Sequence, residues 1–242
     1  MKHKKTAISL LAVAFAICIA AAVFINTMYS SGNLRFVHKI KTPEPGQIKV
    51  ACVGDSVTYG MNMENWEQNA YPVVLQQMLG SKYCVNNYGY SGRTVQQGGN
   101  KPYINETIYH KSLDFAPDIV VFQIGSNDSK AVNWKDRKTF YNDYSKLAKS
   151  YTELASHPKV FIVTPPPAFE VNGTIKYGIQ KEIIQNEIYP AIYDFAKENN
   201  LTVIDLNKLL TNKSDMFVDG LHPNPQGAQI FAKAVYQAIT QK

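Results

Sequence analysis

Cysteine is scarce in this chain, with three in 242 residues, and none of them falls in a spaced framework. Cys52 and Cys84 sit inside apolar runs that read as strands, so the sequence predicts buried free thiols and excludes a disulfide scaffold or a zinc-type cluster. There is no P-loop string and no HExxH, and Gly98-Gly99 lacks the strand-to-helix setting of a dinucleotide fingerprint. No cofactor or catalytic metal is therefore expected. The G-x-S-x-G nucleophile elbow is absent too, which excludes lipases of the elbow type. Excess charge is small. The formal charge of +6 includes Lys2, Lys4 and Lys5, leaving +3 (6 minus 3) for the rest, too little to argue for nucleic-acid binding.

One long uncharged run is present, from Thr6 to Ile25, behind the basic opening MKHKK. Residues 1–29 read as a signal peptide or a transmembrane anchor. The run exceeds the roughly 7 to 15 residues usual for a secretory core, which favours the anchor, while Ala20 and Ala22 offer cleavage-like small residues. Cys18 follows Ile17, too bulky for a lipoprotein signal, and reads as an apolar helix residue. Lys2, Lys4 and Lys5 set the N-terminus inside the cytoplasm, against the weaker vote of Arg35, Lys39 and Lys41. The remainder is then expected to be extracytoplasmic. Residues 30–47 carry Gly, Pro and polar residues without periodicity and read as a linker; the domain is expected over 48–242.

Within the domain, apolar runs alternate with helical patterns. IKVACV, YCVNNY, DIVVFQI, KVFIVT and LTVIDL read as five strands. Between and after them, YPVVLQQML and the stretches Ile104–Phe115, Lys135–Ala155, Gly178–Glu198 and Pro225–Ile239 read as helices, with Pro190 predicted to kink or divide the fourth. Such apolar, β-branched strands need cover on both faces, and repeated βα units give right-handed crossovers onto a parallel sheet. The expected fold is α/β, a three-layer α/β/α sandwich around a five-stranded parallel sheet. Ligands of such sheets bind at the carboxyl ends of the strands.

Those strand ends carry four distinctive strings: GDSVTYG (Gly54 to Gly60), NYGYSGRT (Asn87 to Thr94), IGSNDS (Ile124 to Ser129) and VDGLHPN (Val218 to Asn224). In this order the set resembles the four signature blocks of the SGNH, or GDSL-type, hydrolases, and the resemblance runs over essentially the whole domain. It implies a flavodoxin-like SGNH fold and a serine esterase. It assigns Ser56 as nucleophile and Asp219 and His222 as its triad partners. The oxyanion hole would comprise Ser56 N–H, Gly92 and Asn127, with Gly89 the alternative to Gly92.

Chemistry argues for the same set. A serine hydroxyl becomes a useful nucleophile when an imidazole takes its proton, and the imidazole needs an acceptor that fixes its tautomer; Asp219 stands three residues before His222. Neutral donors fixed around the developing oxyanion are each worth roughly 2.7 to 4 kcal/mol, and glycine at position 92 permits close approach or positive φ. Each residue also has a structural alternative. Ser56 can cap a helix, Asn127 can stabilise a turn, Asp219 can make an Asx-turn and His222 can precede a helix capped by Asn224 with Pro225 at its first position. Asp55 reads as a carboxylate that holds the turn. His3, His38, His110 and His157 lie outside the four blocks and carry no assigned chemistry.

Within the family, the strings look most like bacterial acetylesterases acting on O-acetylated sugars, including sialate O-acetylesterase-like proteins. That implies a small acylated substrate, an acetylated glycan. A lysophospholipase- or thioesterase-type acyl hydrolase is the enzymatic alternative, and a non-catalytic carbohydrate-binding module the alternative from another class. Trp66, Trp134 and Phe169 are candidates either to stack on sugar or to plug the end of the domain.

Overall fold

The computed structural model describes residues 38–241. The Thr6–Ile25 run lies outside the described residues; within them, no helix is long and apolar enough to cross a membrane.

The five runs rich in Val, Ile and Phe form one sheet from β1 (Ile48–Gly54), β2 (Tyr83–Gly89), β3 (Ile119–Gln123), β4 (Lys159–Val163) and β5 (Thr202–Ile204). Every pairing is parallel and the spatial order is β2-β1-β3-β4-β5. The order reverses at β1, so the switch point opens between β1 and β3, where a doubly wound sheet forms its crevice. Successive side chains point to opposite faces, and each face packs against an apolar core. Ala51, Val53, Val120 and Phe122 enter one core, Val50, Cys52, Val121 and Phe161 the other.

Helices cover both faces: α1 (Ser56–Tyr59), α2 (Trp66–Asn69), α3 (Tyr71–Leu79), α4 (Thr107–Asp114), α5 (Arg137–Thr152), α6 (Lys181–Ile183), α7 (Tyr189–Glu198), α8 (Leu206–Leu210) and α9 (Pro225–Thr240). Ile108 of α4, Leu147 and Tyr151 of α5 and Phe195 of α7 pack on the first face. Leu75 of α3, Leu210 of α8 and Phe231 of α9 pack on the second. Each such side chain contributes about 1.5 to 3 kcal/mol by leaving water. Cys52 and Cys84 are free and buried.

Two local features go beyond the sequence reading. The helix expected over Gly178–Glu198 begins at Lys181 and is interrupted by a π-turn, Ile184–Ile188, before resuming at Tyr189. Proline has no N–H to return to the carbonyl four residues earlier, and the wider turn absorbs that defect just before Pro190. The second feature is the end of the expected linker. Lys41 N–H donates to Asn86 Oδ1 and Asn86 Nδ2 to Lys41 O, both at 2.9 Å. His38 Nε2 lies 2.9 Å from Tyr59 O, with its ring against Tyr59 and Trp66 at 4.7 and 4.5 Å. Burial pushes the His38 imidazole down to about 4. Among the described residues, contacts with the domain are thus made from as early as His38, ahead of Ile48.

Candidate active site

The register brings the carboxyl ends of three strands to one level, with Gly54 opposite both Gly89 of β2 and Gln123 of β3. The loops that follow leave the sheet together. α1 crosses this edge closely: a Cβ at Gly89 would stand 2.3 Å from Tyr59 N, so a larger residue would push the helix away.

The cap of α1 is Asp55, whose Oδ1 accepts from Val57 N–H at 3.0 Å. Burial pushes its carboxyl up to about 6, opposed by that N–H and by the charge of His222. Capping therefore falls to Asp55, and Ser56 is released from it. Ser56 Oγ lies 2.9 Å from His222 Nε2, and His222 Nδ1 lies 2.8 Å from Asp219 Oδ2. All three residues are buried, at 5, 2 and 5% exposure. A carboxylate beside Nδ1 accepts, so Nδ1 carries the proton and Nε2 faces the hydroxyl as an acceptor.

Asp219 uses its two oxygens differently. Oδ1 accepts from Leu221 N–H at 3.1 Å and His222 N–H at 2.8 Å, an Asx-turn, while Oδ2 serves the imidazole. Burial alone would raise this carboxyl. The hydrogen bonds and charge of His222, with the Asn62 amide, overcome that and hold it well below the usual carboxylate range. After the turn, Asn224 Oδ1 caps α9 on Gly227 N–H at 3.0 Å, with Pro225 at its first turn.

The other two blocks are tied to each other. Asn127, on the 3-10 turn Ser126–Ser129, donates from Nδ2 to Arg93 O at 3.2 Å. Its carbonyl accepts from Asn133 Nδ2 at 2.8 Å. Gly92 has φ 79°, a left-handed conformation that glycine adopts without a Cβ penalty. Gly89 N–H is engaged by Asn87 Oδ1 at 2.8 Å, which disfavours the alternative to Gly92. Asp128 steadies the loop after Gly92 by accepting from Val95 N–H at 3.0 Å and Gln96 N–H at 2.8 Å. Burial pushes its carboxyl up to about 7 against those N–H groups.

Two residues beside Asp219 and His222 lie outside the four blocks. Tyr177 Oη donates to Asp219 Oδ2 at 2.8 Å, and Asn62 Nδ2 lies 2.8 Å from both that oxygen and the Tyr177 hydroxyl. Tyr177 also meets the His222 ring edge-on, centroids 5.3 Å apart. The aromatics singled out from the sequence are half-buried, with Trp66 on Tyr59, Trp134 on Phe140 and Phe169 on Phe217. Among the described residues, no group of His, Cys, Asp and Glu is arranged to hold a metal ion.

Residues 52–230 match the GDSL-like lipase/acylhydrolase family. The acetylxylan esterase of Xylanibacter ruminicola is 35% identical over 222 residues, covering 84% of this chain and 45% of that protein. The multidomain esterase of Ruminococcus flavefaciens is 28% identical over 224 residues, covering 78% and 28%. The chain thus spans less than half the length of these curated relatives. A carbohydrate acetylesterase from Sinorhizobium meliloti superposes with a TM-score of 0.63 at 20% identity, covering 80% of this chain and 98% of that one, a likeness of fold.

Proposed function

The chain belongs to the GDSL-like lipase/acylhydrolase family, and from that premise we propose that it is a serine esterase that removes small acyl groups, acetyl above all, from carbohydrate. The observation that supports this most is the chain of contacts from Ser56 Oγ to His222 Nε2 and from His222 Nδ1 to Asp219 Oδ2, at 2.9 and 2.8 Å. In the proposed mechanism Ser56 attacks the ester carbonyl as His222 Nε2 takes its proton. The imidazolium that forms is stabilised by Asp219, which itself stays ionised. Gly92 N–H, Ser56 N–H and the second N–H of the Asn127 amide receive the developing oxyanion. His222 then protonates the departing alkoxide, which leaves as the sugar alcohol. Water, deprotonated by His222, attacks the acyl-enzyme, and acetate is released as the bond to Ser56 Oγ breaks and His222 returns the proton to that oxygen.

The carbohydrate part is supported by the relative named as an acetylxylan esterase. We further propose an extracytoplasmic location, with Thr6–Ile25 as anchor or export signal, on the strength of Lys2, Lys4 and Lys5 before that uncharged run. Protease added to intact cells should cleave the domain.

The test is hydrolysis of p-nitrophenyl acetate, butyrate and octanoate and release of acetate from acetylated xylan, by the full chain and by Ser56→Ala. Serine-dependent activity that falls as the acyl chain lengthens supports the reading. Absence of serine-dependent hydrolysis overturns it, and preference for octanoate transfers the case to a lysophospholipase-type enzyme.

A further inference from the structure

Asp219 Oδ2 is shared among three donors, and two of them come from segments with no signature string. We infer that Tyr177 and Asn62 are positioning residues of the triad, which act by dividing the Asp219 carboxylate between His222 and themselves. The inference rests on the esterase reading above and extends it to residues that touch neither nucleophile nor oxyanion.

Tyr177 sits in the stretch between β4 and α6, and that stretch is fastened to the site at several points. Phe169 N–H donates to Gly220 O at 2.8 Å, inside the Asp219 turn. Gln180 reaches Ser129, beside Asn127, with its N–H on Oγ at 3.2 Å and its Nε2 on the carbonyl at 2.7 Å. Tyr177 and Asn62 both hold left-handed backbones, φ 63° and 59°, a conformation that asparagine tolerates and tyrosine takes only when its surroundings impose it. Tyr177 is 43% exposed although its hydroxyl is directed at the carboxylate. Burial and the Asp219 carboxylate push that hydroxyl up to about 12, so it remains a donor throughout the working range.

A carboxylate that accepts from several donors offers less negative charge to each. Removing the tyrosine donor leaves more of Oδ2 for the imidazole N–H, and the protonated ring is stabilised. The ionisable groups facing this ring are Asp219, Tyr177 and, through the cap before Ser56, Asp55, and Asp55 is unaltered by the change. The acid limb of kcat/KM should therefore move to higher pH when the hydroxyl is deleted.

The experiment uses the full chain with Tyr177→Phe, which keeps the ring, and Asn62→Gly, which keeps the left-handed backbone at no steric cost. In Tyr177→Phe the acid limb should move up by about 0.5 to 1 pH unit. The histidine ring NMR signal that is lost in His222→Ala should titrate correspondingly later, a readout that needs no turnover. Because both donors serve one oxygen and Asn62 also contacts the hydroxyl, Asn62→Gly added to Tyr177→Phe should shift the limb by less than the sum of the single changes. An unmoved acid limb and an unmoved ring titration in a folded Tyr177→Phe protein overturn the inference. A parent protein without serine-dependent hydrolysis overturns the esterase reading instead, and the ring titration still decides this one.

Discussion

Two aspartates at the carboxyl edge of the sheet are built alike and differ in what they hold. Asp205, after β5, caps α8 with Oδ1 on Lys208 N–H at 2.9 Å, and its Oδ2 accepts from Tyr189 and Tyr193 hydroxyls at 2.5 and 2.9 Å. Asp219 holds its turn with Oδ1 and accepts from Tyr177 with Oδ2. In both, one oxygen serves the backbone and the other gathers side-chain donors. The difference is His222, which links Asp219 to Ser56. A buried or half-buried carboxylate surrounded by tyrosines is a way to fasten loops; where one donor is an imidazole whose far nitrogen reaches a hydroxyl, the carboxylate also fixes that imidazole's tautomer.

The largest effect should come from breaking that link. Ser56→Ala and His222→Ala should each reduce kcat by at least about 10⁴-fold, and the double variant should lose little more, because the pair acts as a unit. Multiplicative losses in steady-state kinetics would show that the two act separately.

Next, Asp219→Asn should lower kcat by about 10³- to 10⁴-fold by presenting the wrong tautomer. Asp205→Asn should leave kcat within about twofold and cost about 1 to 2 kcal/mol of stability as its tyrosine bonds weaken. Comparable kinetic damage at the two positions would break the comparison.

Asn127→Ala should lower kcat by about 10²- to 10³-fold with little change in KM, since its amide is proposed to act on the oxyanion.

The smallest effect concerns Asp128. Its carboxyl is raised to about 7 in the folded protein, against about 3.9 when unfolded. Its contribution to stability is therefore fully present below about pH 4 and is lost as pH rises through about 7. Asp128→Asn should flatten the fall of Tm over that interval by a few degrees, leaving the part due to Asp55, which shifts in the same direction. An unchanged Tm profile in thermal melts would show that Asp128 is ionised in the fold.

The contrast between short-range and long-range determination also explains what was legible in the sequence. β1 through β5 were readable because each is a short apolar run between turn residues, and the helical stretch around Arg137–Thr152 because its periodicity is sustained. Ser56, Asn127, Asp219 and His222 were readable because each sits in a contiguous string whose neighbours set its local geometry, as the Asp219 turn does for His222. Asn62 and Tyr177 were not. They are far apart in the chain, have left-handed backbones, and meet through the tertiary fold, in which Phe169 pairs with Gly220 and Gln180 with Ser129. The ring contact of Trp66 with His38 and the docking of His38 on Tyr59 likewise depend on partners distant in sequence. Pro190 announced a break in its helix, but the π-turn that accommodates it is a property of the packed helix.

The divided labour of Asp219 bears on how such a protein can change over generations. Asp and Asn codons differ by one base, and an asparagine side-chain oxygen is as able as a carboxylate oxygen to accept from Leu221 and His222 N–H. A single transition at this codon can therefore remove most of the proposed turnover while the chain still closes the turn that leads into α9. On the proposed esterase reading, the distance from an active chain to an inert one that keeps the same turn is, at this position, one nucleotide.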